Sequence, residues 1–200
     1  MDSERIGIMF YHYIEKGGCF MEKSVAEKNK RVILVSGMSG AGKSVATRSL
    51  EDMGYHVIDN FPVQLVSLLV DMIETSIDPR YSYIALSTSA QDFPAFLRLL
   101  KGQNFEVQVL FLDANDSVLL HRYKSTRRTH PLLLSNTCNT LDEAISVERQ
   151  MFSRNLNNSF ITIDTSFLSE KEFKRKLESY FSKEQVPVFS ISFESFGYKY

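Results

Sequence analysis

The chain of 200 residues contains no tryptophan, two cysteines and five prolines, and its 23 basic and 24 acidic side chains leave a formal net charge of −1. Each scarcity excludes something. Cys19 and Cys138, far apart in sequence, do not make the disulfide framework of a small secreted domain and suit a reducing compartment. Balanced charge gives no global attraction to nucleic acid or an anionic membrane, so such binding needs a local patch. No apolar run approaches the ~20 residues of a membrane span. Asp2 and Glu4 stand where a signal peptide carries basic residues. What is present is ordinary: 44% hydrophobic and 24% charged residues, the composition of a globular domain. The expectation is a cytoplasmic protein with no membrane partner.

Residues 1–30 lack a regular pattern and are expected to form a disordered extension. Met21, preceded by Lys16-Gly17-Gly18, is the expected natural start. From Arg31 the pattern turns regular. Arg31–Ser36, Tyr55–Asp59, Tyr83–Ser87, Glu106–Leu112 and Phe160–Asp164 are β-branched or apolar runs that read as strands. Between them lie helical patterns at Lys43–Met53, after Pro62, at Phe93–Leu100, from Asp116 into a basic stretch ending at Pro131, from Thr140, and at Ser169–Phe181. Strands alternating with helices imply right-handed βαβ units. The expected fold is α/β: a parallel five-stranded P-loop NTPase sheet of kinase-like order, helices on both faces, over residues 31–183. Phe189, Ile191 and Phe193 alternate with polar residues, so 184–200 is expected to begin a truncated C-terminal domain.

Gly37-Met38-Ser39-Gly40-Ala41-Gly42-Lys43-Ser44 fits G-x-x-x-x-G-K-[ST], directly after one expected strand and opening a helix. Glycines let the backbone curl so that its N–H groups face phosphate oxygens, and the helix N-terminus adds partial positive charge. Lys43 is placed to reach the β- and γ-phosphates, and the Ser44 hydroxyl to ligate Mg²⁺. Asp59 closes the second strand. It either orients Mg²⁺ through water, contacts a second substrate, or caps the helix at Pro62. Asp113, Asn115 and Asp116 read as helix caps. Arg122, Lys124, Arg127, Arg128 and His130 form the densest basic segment, either a phosphate clamp of the arginine-finger kind, an RNA contact or a solvated face. The catalytic candidates are therefore Lys43, Asp59, Arg127 and Arg128. His12, His56 and His121 lack metal-ligand spacing, so Mg²⁺ is the one metal expected.

These residues together resemble the RapZ/YvcJ family. The likeness runs through Gly37–Ser44 with Val45-Ala46, Leu50–Tyr55, Asp59-Asn60-Phe61-Pro62, Phe111–Ala114, Thr126–Pro131, Ile163–Ser166 and Glu194–Lys199, covering about 31–200 in order. The resemblance implies a cytoplasmic protein that binds ATP or GTP, hydrolyses them weakly, and in some members presents a small RNA to a ribonuclease. It also implies a C-terminal domain carrying much of the RNA binding, so RNA binding here is expected to be weak. One departure bears on chemistry. Where the family carries Asp-x-Arg after the third strand, at the GTP-binding or Walker B position, this chain has Ser87-Thr88-Ser89-Ala90. A serine supplies no carboxylate, so hydrolysis should suffer more than binding. The leading expectation is a nucleotide-binding regulatory protein with a protein partner (a ribonuclease or a regulator), possible also as a homo-oligomer. Its rivals are a kinase transferring the ATP γ-phosphate to a small molecule or nucleotide, and a module that no longer uses its P-loop.

Overall fold

The computed structural model describes residues 30–126 and 128–182. Residues 1–29 of the expected extension, the alternative start at Met21, the expected C-terminal segment 184–200 with its strand at 189–193, and Arg127 lie outside the described residues. Lys30, expected at the end of the extension, is instead buried and accepts the Glu106 N–H on its carbonyl. Five strands form the sheet: β1 (Arg31–Gly37), β2 (His56–Ile58), β3 (Tyr83–Ser87), β4 (Glu106–Asp113) and β5 (Ile161–Asp164). All pairings are parallel, in the order β2-β3-β1-β4-β5. β1 is central and the most buried, with Val32 to Val35 wholly inaccessible, because strands covered on both faces select continuous Val/Ile/Leu runs.

The helices are α1 (Lys43–Asp52), α2 (Val66–Thr75), α3 (Phe93–Leu100), α4 (Asp116–Thr126), α5 (Pro131–Leu134), α6 (Leu141–Ser153) and α7 (Glu170–Phe181). The chain first crosses from β1 to the edge at β2, and each later crossover steps back towards β5. Right-handed crossovers therefore put α1 on one face and α2 to α6 on the other. Contacts agree: α7 returns against α1, α2 packs on α3, and α4 on α6. On the α2–α6 side Phe152 meets Phe93 and Phe111 edge-on, with ring centroids 5.5 and 5.0 Å apart, an arrangement aromatic quadrupoles favour.

Two expected elements differ. β2 is only three residues long because Tyr55 turns into the core and Asn60 adopts a left-handed φ of 51°. The basic stretch is not one helix. α4 stops at Thr126, and His130 restarts the chain by accepting the Leu132 N–H on its ring at the N-terminus of α5. The residue before a proline disfavours helical backbone, and His130 accordingly takes an extended conformation.

Candidate functional site

The loop between β1 and α1 springs from the middle of the sheet. Gly37, Gly40 and Gly42 all have positive φ, at 136°, 90° and 108°. At Gly37 close approach compounds the requirement: a Cβ there would sit 2.1 Å from the Leu112 carbonyl oxygen of β4. α1 then begins on left-handed Gly42 with no side-chain cap and no acidic residue in its first turn. Its leading N–H groups have no intrahelical acceptors, so the helix presents them and its positive dipole end outward.

Lys43 folds back over this loop, its ammonium donating to the carbonyls of Gly37 (2.7 Å) and Met38 (3.3 Å). Burial lowers its pKa from the usual lysine value, opposed by the negative charges of Glu148 and Asp59. Asp59, at the end of β2, accepts a hydrogen bond from the Ser87 hydroxyl at the end of β3. The structure thus brings a carboxylate from the second strand to the serine at the third, on one side of the lysine. Thr88 and Ala90 are buried, and Ser89 turns instead to Asp92.

A cavity of about 660 Å³ opens along this loop, lined by Lys43 but not by Asp59 or Ser87. Ser39 to Ser44 form its floor, and Arg48, Arg122 and Arg128 bring positive charge to its walls. Gly37 and Met38 do not line it; the Met38 side chain is wholly buried in the core. Arg122 is held by the Gly40 carbonyl (3.0 Å) and by the carbonyl (2.7 Å) and hydroxyl (3.1 Å) of Thr165. Thr165 in turn donates to the Ala41 carbonyl at 2.9 Å. Lys124 is exposed outside the cavity. His130 departs from its expected place in the basic clamp: it is fully buried and faces Glu148, not the cavity.

Sequence reasoning passed over three residues here. Glu148 on α6 accepts the Ser39 N–H at 2.8 Å, the Ser39 hydroxyl at 2.7 Å and the His130 ring nitrogen Nε2–H at 3.2 Å. Burial alone would raise its pKa, but the hydrogen bonds from His130 and Ser39 and the charge of Lys43 outweigh that and hold it below the usual glutamate value. Arg149, next in sequence, forks onto both oxygens of Asp113 at 3.0 Å and onto Asp116 at 2.6 Å. Asp113 accepts the Ala114 N–H, ahead of α4 and not within its first turn, so it does not cap that helix as expected, and its main partner is this ion pair. Thr165 is the third. Only Thr140 followed by Glu143 announced α6 in the sequence, and that fixes where the helix starts, not what it faces. Among the described residues no cluster of three or more His, Cys, Asp or Glu side chains could hold a metal ion, and no helix is long and apolar enough to cross a membrane.

A family model for the RapZ-like N-terminal domain matches residues 30–185. A nucleotide-binding protein of Lactobacillus johnsonii is 44% identical over 181 residues, 88% of this chain and 61% of its own length. One of Chromohalobacter salexigens is 36% identical over 176 residues, 84% of this chain and 58% of its own length. The chain thus spans about three fifths of the curated relatives it matches. Among solved structures, shikimate kinase from Acinetobacter baumannii in complex with shikimate has a TM-score of 0.52 at 17% identity, covering 80% of this chain and 98% of that one. That likeness is one of fold.

Proposed function

This chain belongs to the family of the RapZ-like N-terminal domain, and on that premise we propose that it is a nucleotide-binding regulatory protein whose loop 37–44 holds the phosphates of ATP or GTP. The observation that carries the reading is the uncapped start of α1 on left-handed Gly42, beside Lys43 and a cavity walled by Arg48, Arg122 and Arg128. A helix terminus left free of caps and acidic side chains, under three guanidinium groups, suits a polyphosphate. Mg²⁺ fits the donor set, since the Ser44 hydroxyl is exposed and Asp59 offers a carboxylate, both hard oxygens. When bound, the ion supplies charge neutralisation on the phosphates. Ser87 offers a hydroxyl and no carboxylate, so the reading is of binding with weak turnover. The bound nucleotide then biases a partner, a ribonuclease or another regulator or a second copy. RNA contact through residues 122–130 is expected to be weak and to fall steeply with salt.

Calorimetric titration with ATP, GTP and their diphosphates, with and without Mg²⁺, tests this. Micromolar binding that drops at least tenfold in Lys43→Ala is the expected result, with Ser87→Asp gaining Mg²⁺-dependent turnover. No binding of any of the four overturns the reading. Robust hydrolysis unaffected by Lys43→Ala also contradicts it. A kinase reading keeps one supporting observation, Asp59 hydrogen-bonded to Ser87 at the strand ends beside Lys43. There a second substrate would meet the γ-phosphate. Label transfer from ATP to any acceptor in a small-molecule screen would establish that reading instead.

A further inference from the structure

Behind the phosphate loop lies a closed circuit of polar side chains. Glu148 is 3% exposed and His130 0%, and neither lines the cavity. His130 accepts the Leu132 N–H on Nδ1, which leaves the proton on Nε2, directed at Glu148. Its ring lies 5.2 Å from that of Tyr123. Tyr123 interacts in turn with the Ser39 side chain, and burial pushes its phenol up to about 12, so it remains a donor. Ser39 closes the circuit on Glu148 through both its N–H and its hydroxyl. Three segments, the loop at Ser39, the stretch from Tyr123 to His130 and α6, meet around one carboxylate that Ser39 and His130 bond directly.

A carboxylate costs several kcal/mol to bury, and even a fully paired one gives weak evidence of a stability role. What this one does geometrically is specific. It turns the Ser39 N–H away from the cavity and so sets the curl of the loop, and it fixes His130 two residues after Arg128. We propose that Glu148 and His130 are positioning residues of the nucleotide site, a latch that holds Tyr123 and the Arg128–Thr129 segment in register with the phosphate loop. The inference rests on the nucleotide reading above and names the residues that pre-shape that site. Pre-shaping raises affinity by lowering the ordering cost of binding. The sign of the charge makes the idea testable. Glu148 is negative beside a site for a polyanion, so through Coulomb repulsion alone its removal would tighten binding. As a latch, its removal weakens binding.

Glu148→Gln keeps the shape and removes the charge. ATP titration of this variant should give affinity weaker by roughly threefold to tenfold, as charge-assisted hydrogen bonds become neutral ones. Tighter or unchanged binding overturns the proposal. The latch acts through the Arg128 segment, so Glu148→Gln combined with Arg128→Ala should bind within twofold of the weaker single variant. Fully additive losses overturn it, because a general structural defect would add. A third arm needs no ligand: trypsin should cut the nucleotide-free Glu148→Gln protein after Lys124 or Arg128 about five times faster than wild type. Equal rates overturn the latch even where wild type binds neither ATP nor GTP, the result that would instead sink the nucleotide reading. Should Glu148→Gln fail to fold, His130→Phe keeps a ring against Tyr123, removes the donor to Glu148 from its other end and carries the same three expectations.

Discussion

At Gly37 the fold forbids any side chain, and at Lys43 fold and site make opposite demands on one. Gly37→Ala would drive a methyl group into the backbone of Leu112 at a φ that only glycine adopts freely. A loss of at least about 3 kcal/mol is expected in urea unfolding. Gly40→Ala, whose added carbon would lie 3.2 Å from the Tyr123 ring, should cost less because it meets the edge of a side chain and not the backbone of a central strand. Lys43 works against stability. Its folded pKa lies below the ordinary 10.5, so between the two values the unfolded chain binds more protons and stability rises with pH through that window. Lys43→Met should therefore gain about 1 kcal/mol at neutral pH while losing nucleotide binding. The difference from wild type should shrink as pH climbs towards 10.5, as chemical denaturation across pH would show. Glu148 behaves as the mirror case. Held below 4.5, it contributes stability that is complete above that pH and lost as pH falls through its depressed value. Glu148→Gln should flatten that acid limb.

The secondary-structure elements differ in how openly the sequence declares them. The start of α7 is declared by Ser169 and Glu172, which close a reciprocal capping box. Ser169→Ala should cost about 1 kcal/mol in thermal or urea unfolding, since α7 also braces α1. β1, β3 and α3 were equally open to reading, because a buried apolar run and Pro94 in a first helical turn are local signals. The loop 37–44 was legible for the same reason: its glycines, Lys43 and Ser44 stand together. The supporting residues were not. Ser39 and Glu148 are 109 residues apart, and nothing near Glu148 distinguishes it from the exposed acids of an ordinary amphipathic helix. The basic segment misled in the opposite way. His130 belongs to it by sequence, yet it takes an extended conformation before Pro131 and its ring is buried in the core. Lys30 makes a similar point at α2: a lysine that reads as solvated is buried and donates to the Ile73 and Ser76 carbonyls at the helix C-terminus, where a cation offsets the dipole.

Taken whole, the molecule hangs its candidate site on the strand least able to move. A ligand that binds only the folded state at a hundred times its Kd should raise unfolding free energy by about 2.7 kcal/mol. Thermal unfolding with ATP or GTP should show that gain in wild type and none in Lys43→Ala. β1 has a neighbour on each side, β3 and β4, and no solvent at either face from Val32 to Val35. Its amide hydrogens then have no local route to deuterium. They should exchange only when the entire domain opens, and so serve as an internal gauge of global unfolding. The amides of Arg128 and Thr129, exposed and outside any helix, should by contrast exchange on the order of seconds. The protein thus joins its slowest clock to one of its fastest across a single loop, and ligand binding is the event that would bring their rates together.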